Sequence, residues 1–209
     1  AAAIDGGAVD EIALFLEKQH LRLRYVVNTH HHYDHTSGND SLLSRYQARF
    51  VSCRDLSLQG RLVLENETIR IYPTPGHTDD SLCFHVDNIL ITGDTLFNGT
   101  IGNCFSGRID LFYQSIKKIM TLPKETVIYA GHDYIRDSIF FARQLEPDNA
   151  DLNRFLADYD PDHVYSTLAD EFRINPYLRF NDAKMVDILQ NEGLATGTEW
   201  QRWESLMSL

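Results

Sequence analysis

The segment Thr29-His30-His31-His32-Tyr33-Asp34-His35 decides the reading of this sequence. It leaves the apolar run Tyr25-Val26-Val27-Asn28-Thr29, a predicted strand. Inside it lies the pattern H-x-H-x-D-H. Imidazole and carboxylate are the ligands that borderline cations such as zinc accept. Four such ligands within six residues cannot all reach one small ion from one strand edge. The spacing predicts two ions held by opposite sides of one loop, with His30 and His32 on one side and Asp34 and His35 on the other. With nine histidines among 209 residues, chance produces this pattern in on the order of one chain in a thousand. His31 points away from its neighbours in an extended loop and is left out of the predicted set.

Three further candidates repeat one arrangement. His77 follows Gly76 after the strand that ends at Tyr72, Asp94 follows Gly93 after Ile89-Leu90-Ile91-Thr92, and His132 follows Gly131 after Val127-Ile128-Tyr129-Ala130. Each sits just past a predicted strand end, beside a glycine that permits a tight turn. Loops carried by a rigid sheet are a common way to hold a site. Alone, each would more often be structural; with the first motif they predict a single site. His20, His85 and His163 are read as structural or solvent-facing.

Composition bounds the class. A chain of 209 residues with 43% hydrophobic and 23% charged residues is globular, and one domain with a small appendage suits its length. Its net charge of −11 argues against a nucleic-acid partner. No run approaches 18 apolar residues, so no transmembrane helix is expected. Cys53, Cys83 and Cys104 are scattered and odd in number, which predicts free thiols and a reducing, cytoplasmic setting.

Along the chain, helices are predicted from Val9 to about His20, near Ser41–Gln47, over Asp110–Met120 and over Tyr134–Leu145, where Pro147 ends the run. Strands are predicted at Arg49–Ser52, Thr68–Tyr72, Leu82–Val86, Ile89–Thr92 and Thr126–Ala130. Beyond residue 150 no strong strand run is seen. Trp200, Trp203 and Leu206 recur at helical spacing and read as core.

These residues resemble the metallo-β-lactamase superfamily, and within it the hydroxyacylglutathione hydrolases (glyoxalase II). The segments Thr29–His35, Pro75–Thr78, Gly93–Phe97 and Gly131–Tyr134 carry the likeness. So do Phe141–Pro147, Ser166–Phe172 and Asn175–Arg179 of the tail. The resemblance implies an α/β fold, an αββα sandwich (residues 1–147) with a helical C-terminal domain (148–209). It implies two divalent metal ions, most often zinc, with iron or manganese possible. The first is expected on His30, His32 and His77, the second on Asp34, His35 and His132, with Asp94 bridging. Asp34 and Asp94 are the catalytic carboxylates by the same likeness, and the substrate is a small-molecule thioester of the glutathione type. In the family one or two more strands precede the segment matching Ala2–Asp5, and their absence is expected to expose a sheet edge.

The likeness weakens at the substrate rim. Where the family has a loop resembling G-K-F-Y-x-G, this chain reads Gly102-Asn103-Cys104-Phe105-Ser106-Gly107, and the family's basic pair near the C-terminus falls in Glu199–Ser205. Tyr134, Asn103, Phe105 and Arg202 are therefore the expected substrate contacts. Lost cations weaken carboxylate binding by roughly 1–3 kcal/mol each. Rival readings on the same metals are hydrolysis of another thioester, a lactone or a β-lactam; a single-iron dioxygenase; and an inactive metal-binding module.

Overall fold

The computed structural model describes residues 1–209. In chain order, β1 (Ala2–Ile4), α1 (Val9–Lys18), β2 (Tyr25–Val27), α2 (Tyr33–Thr36), α3 (Asn39–Tyr46), β3 (Arg49–Phe50), α4 (Cys53–Gln59), β4 (Arg61–Leu64), β5 (Glu67–Pro73), β6 (Leu82–Val86) and β7 (Ile89–Gly93) form the first half. The second half comprises β8 (Leu96–Phe97), β9 (Thr100–Ile101), α5 (Ile109–Ile119), β10 (Val127–Ala130), α6 (Ile135–Leu145), α7 (Ala150–Asp158), β11 (Ser166–Thr167), α8 (Leu168–Ile174), a 3-10 turn at Pro176–Leu178, α9 (Ala183–Asn191) and α10 (Glu199–Met207).

Strand periodicity sorts the core into layers. Strands β1, β2 and β3 form a parallel sheet in the order β1-β2-β3, and the larger sheet runs β11-β10-β7-β6-β5-β4. Adjacent side chains on a strand point to opposite faces. Accordingly Val26 packs outward with Ala3, Leu16, Leu23 and Leu42 beneath α1 and α3. Its neighbour Val27 packs inward with Ile71, Leu82 and Phe84 of the facing sheet. Across the larger sheet Cys83, Leu90 and Ile128 turn the other way, onto Phe112, Ile116 and Ile119 of α5 and onto Trp203 and Leu206 of α10. The result is helix, sheet, sheet, helix: the expected αββα sandwich.

The C-terminal helices share that core. Trp203 is fully buried, its ring 6.1 Å from Phe112. Ile135, Ile139 and Ala142 of α6 pack with Leu152 and Ile174 of α7 and α8. Two capping boxes, Thr167 with Asp170 and Thr198 with Gln201, start α8 and α10. No helix is long and apolar enough to cross a membrane.

The structure differs from the expectation after residue 150. Ser166–Thr167 form a short strand that pairs antiparallel with β10. Two residues carry no readable period; the pairing depends on a neighbour some forty positions away. Strand β2 also stops at Val27, which leaves Asn28 and Thr29 free to bond outside the ladder. The hairpin between β6 and β7 turns at Asp87, whose φ of 53° is left-handed.

Candidate metal centre

Position of the site follows from strand ends. The loop after β2 carries His30 and His32, and Asp34 and His35 lie in the short α2. His77 follows β5, Asp94 follows β7 and His132 follows β10. Strands β7 and β10 are parallel, and their register shifts between Tyr129 and Ala130 so that Ala130 lies opposite Gly93. Gly131 then donates its N–H to Gly93 O at 2.9 Å, which sets His132 beside Asp94.

All seven expected ligands converge. His32 Nδ1 lies 3.0 Å from His30 Nε2 and 3.1 Å from His77 Nε2. His132 Nε2 lies 3.2 Å from His35 Nε2 and 3.1 Å from Asp34 Oδ2. Asp94 stands between the two sets, with Oδ1 3.3 Å from His35 Nε2 and Oδ2 3.5 Å from His77 Nε2 and 3.6 Å from His132 Nε2. Three groupings bring their ligand atoms within 4.8 Å of one another: His30-His32-His77, His30-His35-Asp94 and Asp34-His35-His132.

The outer ring nitrogens explain the aim of these side chains. His77 Nδ1 donates to the Asn103 carbonyl at 2.9 Å, leaving Nε2 as an acceptor toward the centre. His35 Nδ1 lies 2.9 Å from Asp5 Oδ2, and His30 Nδ1 lies 3.1 Å from Thr29 Oγ1. Asp5 in turn accepts from Thr29 N and Thr29 Oγ1, each at 2.7 Å. Asn28 Nδ2 donates to the His35 carbonyl at 2.8 Å. Asp5, Asn28 and Thr29 were not among the expected site residues. Asp5 nonetheless carries the same signal as the ligands, a carboxylate just past a strand end with Gly6 beside it.

Electrostatics separate the ligand histidines. Burial, then the nearby His35, lowers the pKa of His30 to about 4, which keeps it a neutral ligand. Burial also lowers His77. At His35 burial works against the proton, but Asp5 and Asp94 outweigh it and raise the pKa to about 10. At Asp94 burial favours the neutral acid, and the facing His35 reverses that and holds the carboxyl below its usual range. Asp94 Oδ1 is buried without a hydrogen-bond partner. Buried carboxylate oxygens rarely go unsatisfied, and a bound cation would complete this one. Packing leaves no slack here: a Cβ on Gly131 would fall 2.2 Å from Asp94 Oδ1.

The expected substrate contacts divide. Tyr134 is half-exposed with its ring 5.6 Å from His132, and Phe105 is 67% exposed with its ring 5.2 Å from His77 and 5.8 Å from His32. Asn103 borders the site through the carbonyl that accepts from His77. The Arg202 guanidinium donates to Asn181 Oδ1 and the Thr196 carbonyl, and none of its hydrogen bonds reaches the ligand cluster. Helix α10 turns Trp203 and Leu206 into the core, which leaves Arg202 on a flank bonded to Asn181 and Thr196. His31 bonds Asp80 Oδ1 at 2.7 Å and stays outside the ligand groupings.

Comparison with known proteins agrees with this geometry. The sequence profile of the metallo-beta-lactamase superfamily matches residues 4–61 and 55–132, and that of the hydroxyacylglutathione hydrolase C-terminus matches residues 133–208. A hydroxyacylglutathione hydrolase of Psychromonas ingrahamii is 32% identical over 205 residues, covering 90% of this chain and 80% of its own length. Another, of Alkalilimnicola ehrlichii, is 33% identical over 196 residues, covering 86% and 77%. Among solved structures, ETHE1 from Myxococcus xanthus superposes with a TM-score of 0.68 at 23% identity, covering 99% of this chain and 79% of its own. TTHA1623 in a di-iron-bound form gives 0.57 at 20% identity, covering 84% and 88%. At those identities the structures show a shared fold. The sequence matches go further: this chain belongs to the metallo-β-lactamase superfamily and, within it, to the hydroxyacylglutathione hydrolase family.

Proposed function

We propose that the chain is a dinuclear-metal thioester hydrolase that cleaves S-(2-hydroxyacyl)glutathione-type thioesters to a 2-hydroxy acid and a free thiol. The observation that carries this reading is the convergence of seven ligand side chains on two adjoining sets that share Asp94. The names of the relatives supply the substrate class. His30, His32 and His77 would hold one cation, Asp34, His35 and His132 the other, and Asp94 both. Imidazole and carboxylate donors suit zinc, and also iron or manganese. Bound by these residues, divalent cations would supply a water acidified toward neutral pH and positive charge facing a carbonyl oxygen.

Around that chemistry the protein's own groups have defined tasks. Asp34 is the exposed carboxylate of the cluster, with its side chain 57% accessible. It orients the attacking water and accepts its proton. The water oxygen bonds to the carbonyl carbon, and the tetrahedral adduct then collapses with loss of the C–S bond, the sulfur leaving as thiolate. No general acid is needed, because a free thiol has a pKa of about 8.5. Tyr134 and Phe105 flank the centre on its two sides.

Elemental analysis of the purified protein, with turnover of S-lactoylglutathione, tests the proposal. Two divalent ions per chain and turnover that a chelator abolishes are expected. Asp94→Ala should lose both metal and activity, whereas His31→Ala should keep both. Full metal and full turnover in D94A would sink the dinuclear scheme. A lactone and a β-lactam assayed on the same preparation measure the rival substrate classes.

A further inference from the structure

At the end of β2 remote from the ligand loop the molecule is cationic. Arg24 precedes β2 and Arg49 opens the neighbouring β3, and Arg49 N donates to the Arg24 carbonyl at 2.9 Å. Arg22, Arg24 and Arg49 line one cavity of about 420 Å³, together with Tyr25 and Gln47. Arg49 and Tyr25 also line an adjoining cavity of about 330 Å³, whose wall is completed by Arg61, Gln59 and the apolar Val51 and Val63. No carboxylate lines either cavity, in a chain that has 30 aspartates and glutamates and a net charge of −11. Arg45, Arg108, Arg154 and Arg179 are ion-paired, whereas the side chains of Arg22, Arg24, Arg49 and Arg61 make neither an ion pair nor a hydrogen bond. Glu65 and Glu67 reach a third cavity on the flank of Arg22 and Arg24 and pair with neither. Strand pairing adds to the crowding, since Arg61 lies directly opposite Arg70 across β4 and β5. Like charges placed in this way repel one another.

We propose that the cavity between Arg22, Arg24 and Arg49 binds the di- or triphosphate group of a small anionic ligand. The proposal goes beyond the thioesterase reading and does not depend on it. A cavity of about 420 Å³ has the size of a small-molecule site. The planar guanidinium fork matches phosphate oxygens two at a time, and a phosphate chain brings enough negative charge to balance several such groups at once. A lone carboxylate would leave most of that positive charge unbalanced. Inorganic tripolyphosphate and a nucleoside triphosphate present the same group. The adjoining cavity, with Val51 and Val63 in its wall and Tyr25 shared between the two, is where a nucleoside would lie.

The test titrates the metal-loaded protein with tripolyphosphate, ATP and succinate by calorimetry, with metal content measured before and after. Both phosphates should bind with Kd below about 1 mM at low salt, and succinate at least about tenfold more weakly. Arg24→Gln combined with Arg49→Gln should weaken both phosphates at least about tenfold, because each charged hydrogen bond is commonly worth that much. Metal content and the circular dichroism spectrum should stay those of the wild type. ATP binding tighter than tripolyphosphate, with the surplus lost in Val63→Asp, identifies a nucleotide; equal affinity identifies the phosphate group alone. Phosphate affinity unchanged in the double variant would place the phosphates on the metal centre and overturn the assignment. So would a Kd above about 10 mM for both phosphates, or succinate binding as tightly as tripolyphosphate.

Discussion

His35 shows how a single residue is set for its task. Its Nδ1 is fixed by Asp5, its Nε2 faces Asp94 and His132, and the residue is buried. Orienting partners of metal-bound histidines commonly contribute 10- to 100-fold in metal affinity. Asp5→Asn should therefore weaken cation binding by that factor, read by chelator competition, while the circular dichroism spectrum stays that of the wild type. Wild-type affinity in D5N would remove Asp5 from the site. The ligands were legible because imidazole and carboxylate at short spacing have few other reasons to co-occur. Asp5 shares their place at a strand end, but only the fold shows which histidine, 30 residues away, it orients.

Among the elements, the parallel pair β7 and β10 does most to build the centre. Its register shift brings Gly131 against Gly93, and Gly93 itself has a φ of 50° with Thr29 packed closely against it. Any side chain at 131 meets the carboxylate that joins the two ligand sets. Gly131→Ala should lower metal affinity at least tenfold, measured by titration, because its Cβ would fall 2.2 Å from Asp94 Oδ1 and 2.9 Å from the His35 ring, both of them ligands. If G131A binds metal as the wild type does, the packing around Asp94 is looser than these contacts imply. The glycines before His77, Asp94 and His132 were visible as turn formers, but the approach of Gly131 to Asp94 needs two strands to pair. Short elements such as α2, α4, β4, β8 and β9 also escaped the sequence reading, because two to seven residues hold too little periodicity to read.

Over the whole molecule, the C-terminal helices complete the core rather than hang from it. Phe112 lies against both Trp203 and Gly76, the residue before His77, so the tail braces the site through one ring. Trp203→Ala should cost about 3–5 kcal/mol in urea denaturation. A second brace is polar. Glu171 of α8 is fully buried and accepts hydrogen bonds from Gly99 N at 3.0 Å, Ser166 Oγ at 2.7 Å and Asn175 Nδ2 at 2.7 Å. Burial raises its pKa to about 7 against these donors. A carboxyl raised in this way contributes stability that is full below its unfolded pKa near 4.5 and is lost as pH rises through 7. The stability gap between wild type and Glu171→Gln should therefore narrow by about 2–3 kcal/mol from pH 5 to pH 8. A gap that stays constant across that range would show that Glu171 does not titrate in the folded protein.

The sequence by itself determined the chemistry of the centre. Seven candidate ligands and a helical tail were readable from residue identity and local period, which are sequence properties, whereas a rim without its usual cations was visible only through the resemblance to the family. Tertiary structure alone decided which distant groups serve those ligands and which candidates stand idle. Asp5 joined the site and Arg202 is bonded to Asn181 because strand pairing and helix rotation, set by the burial of Val27, Phe84 and Trp203, fix where a side chain ends up.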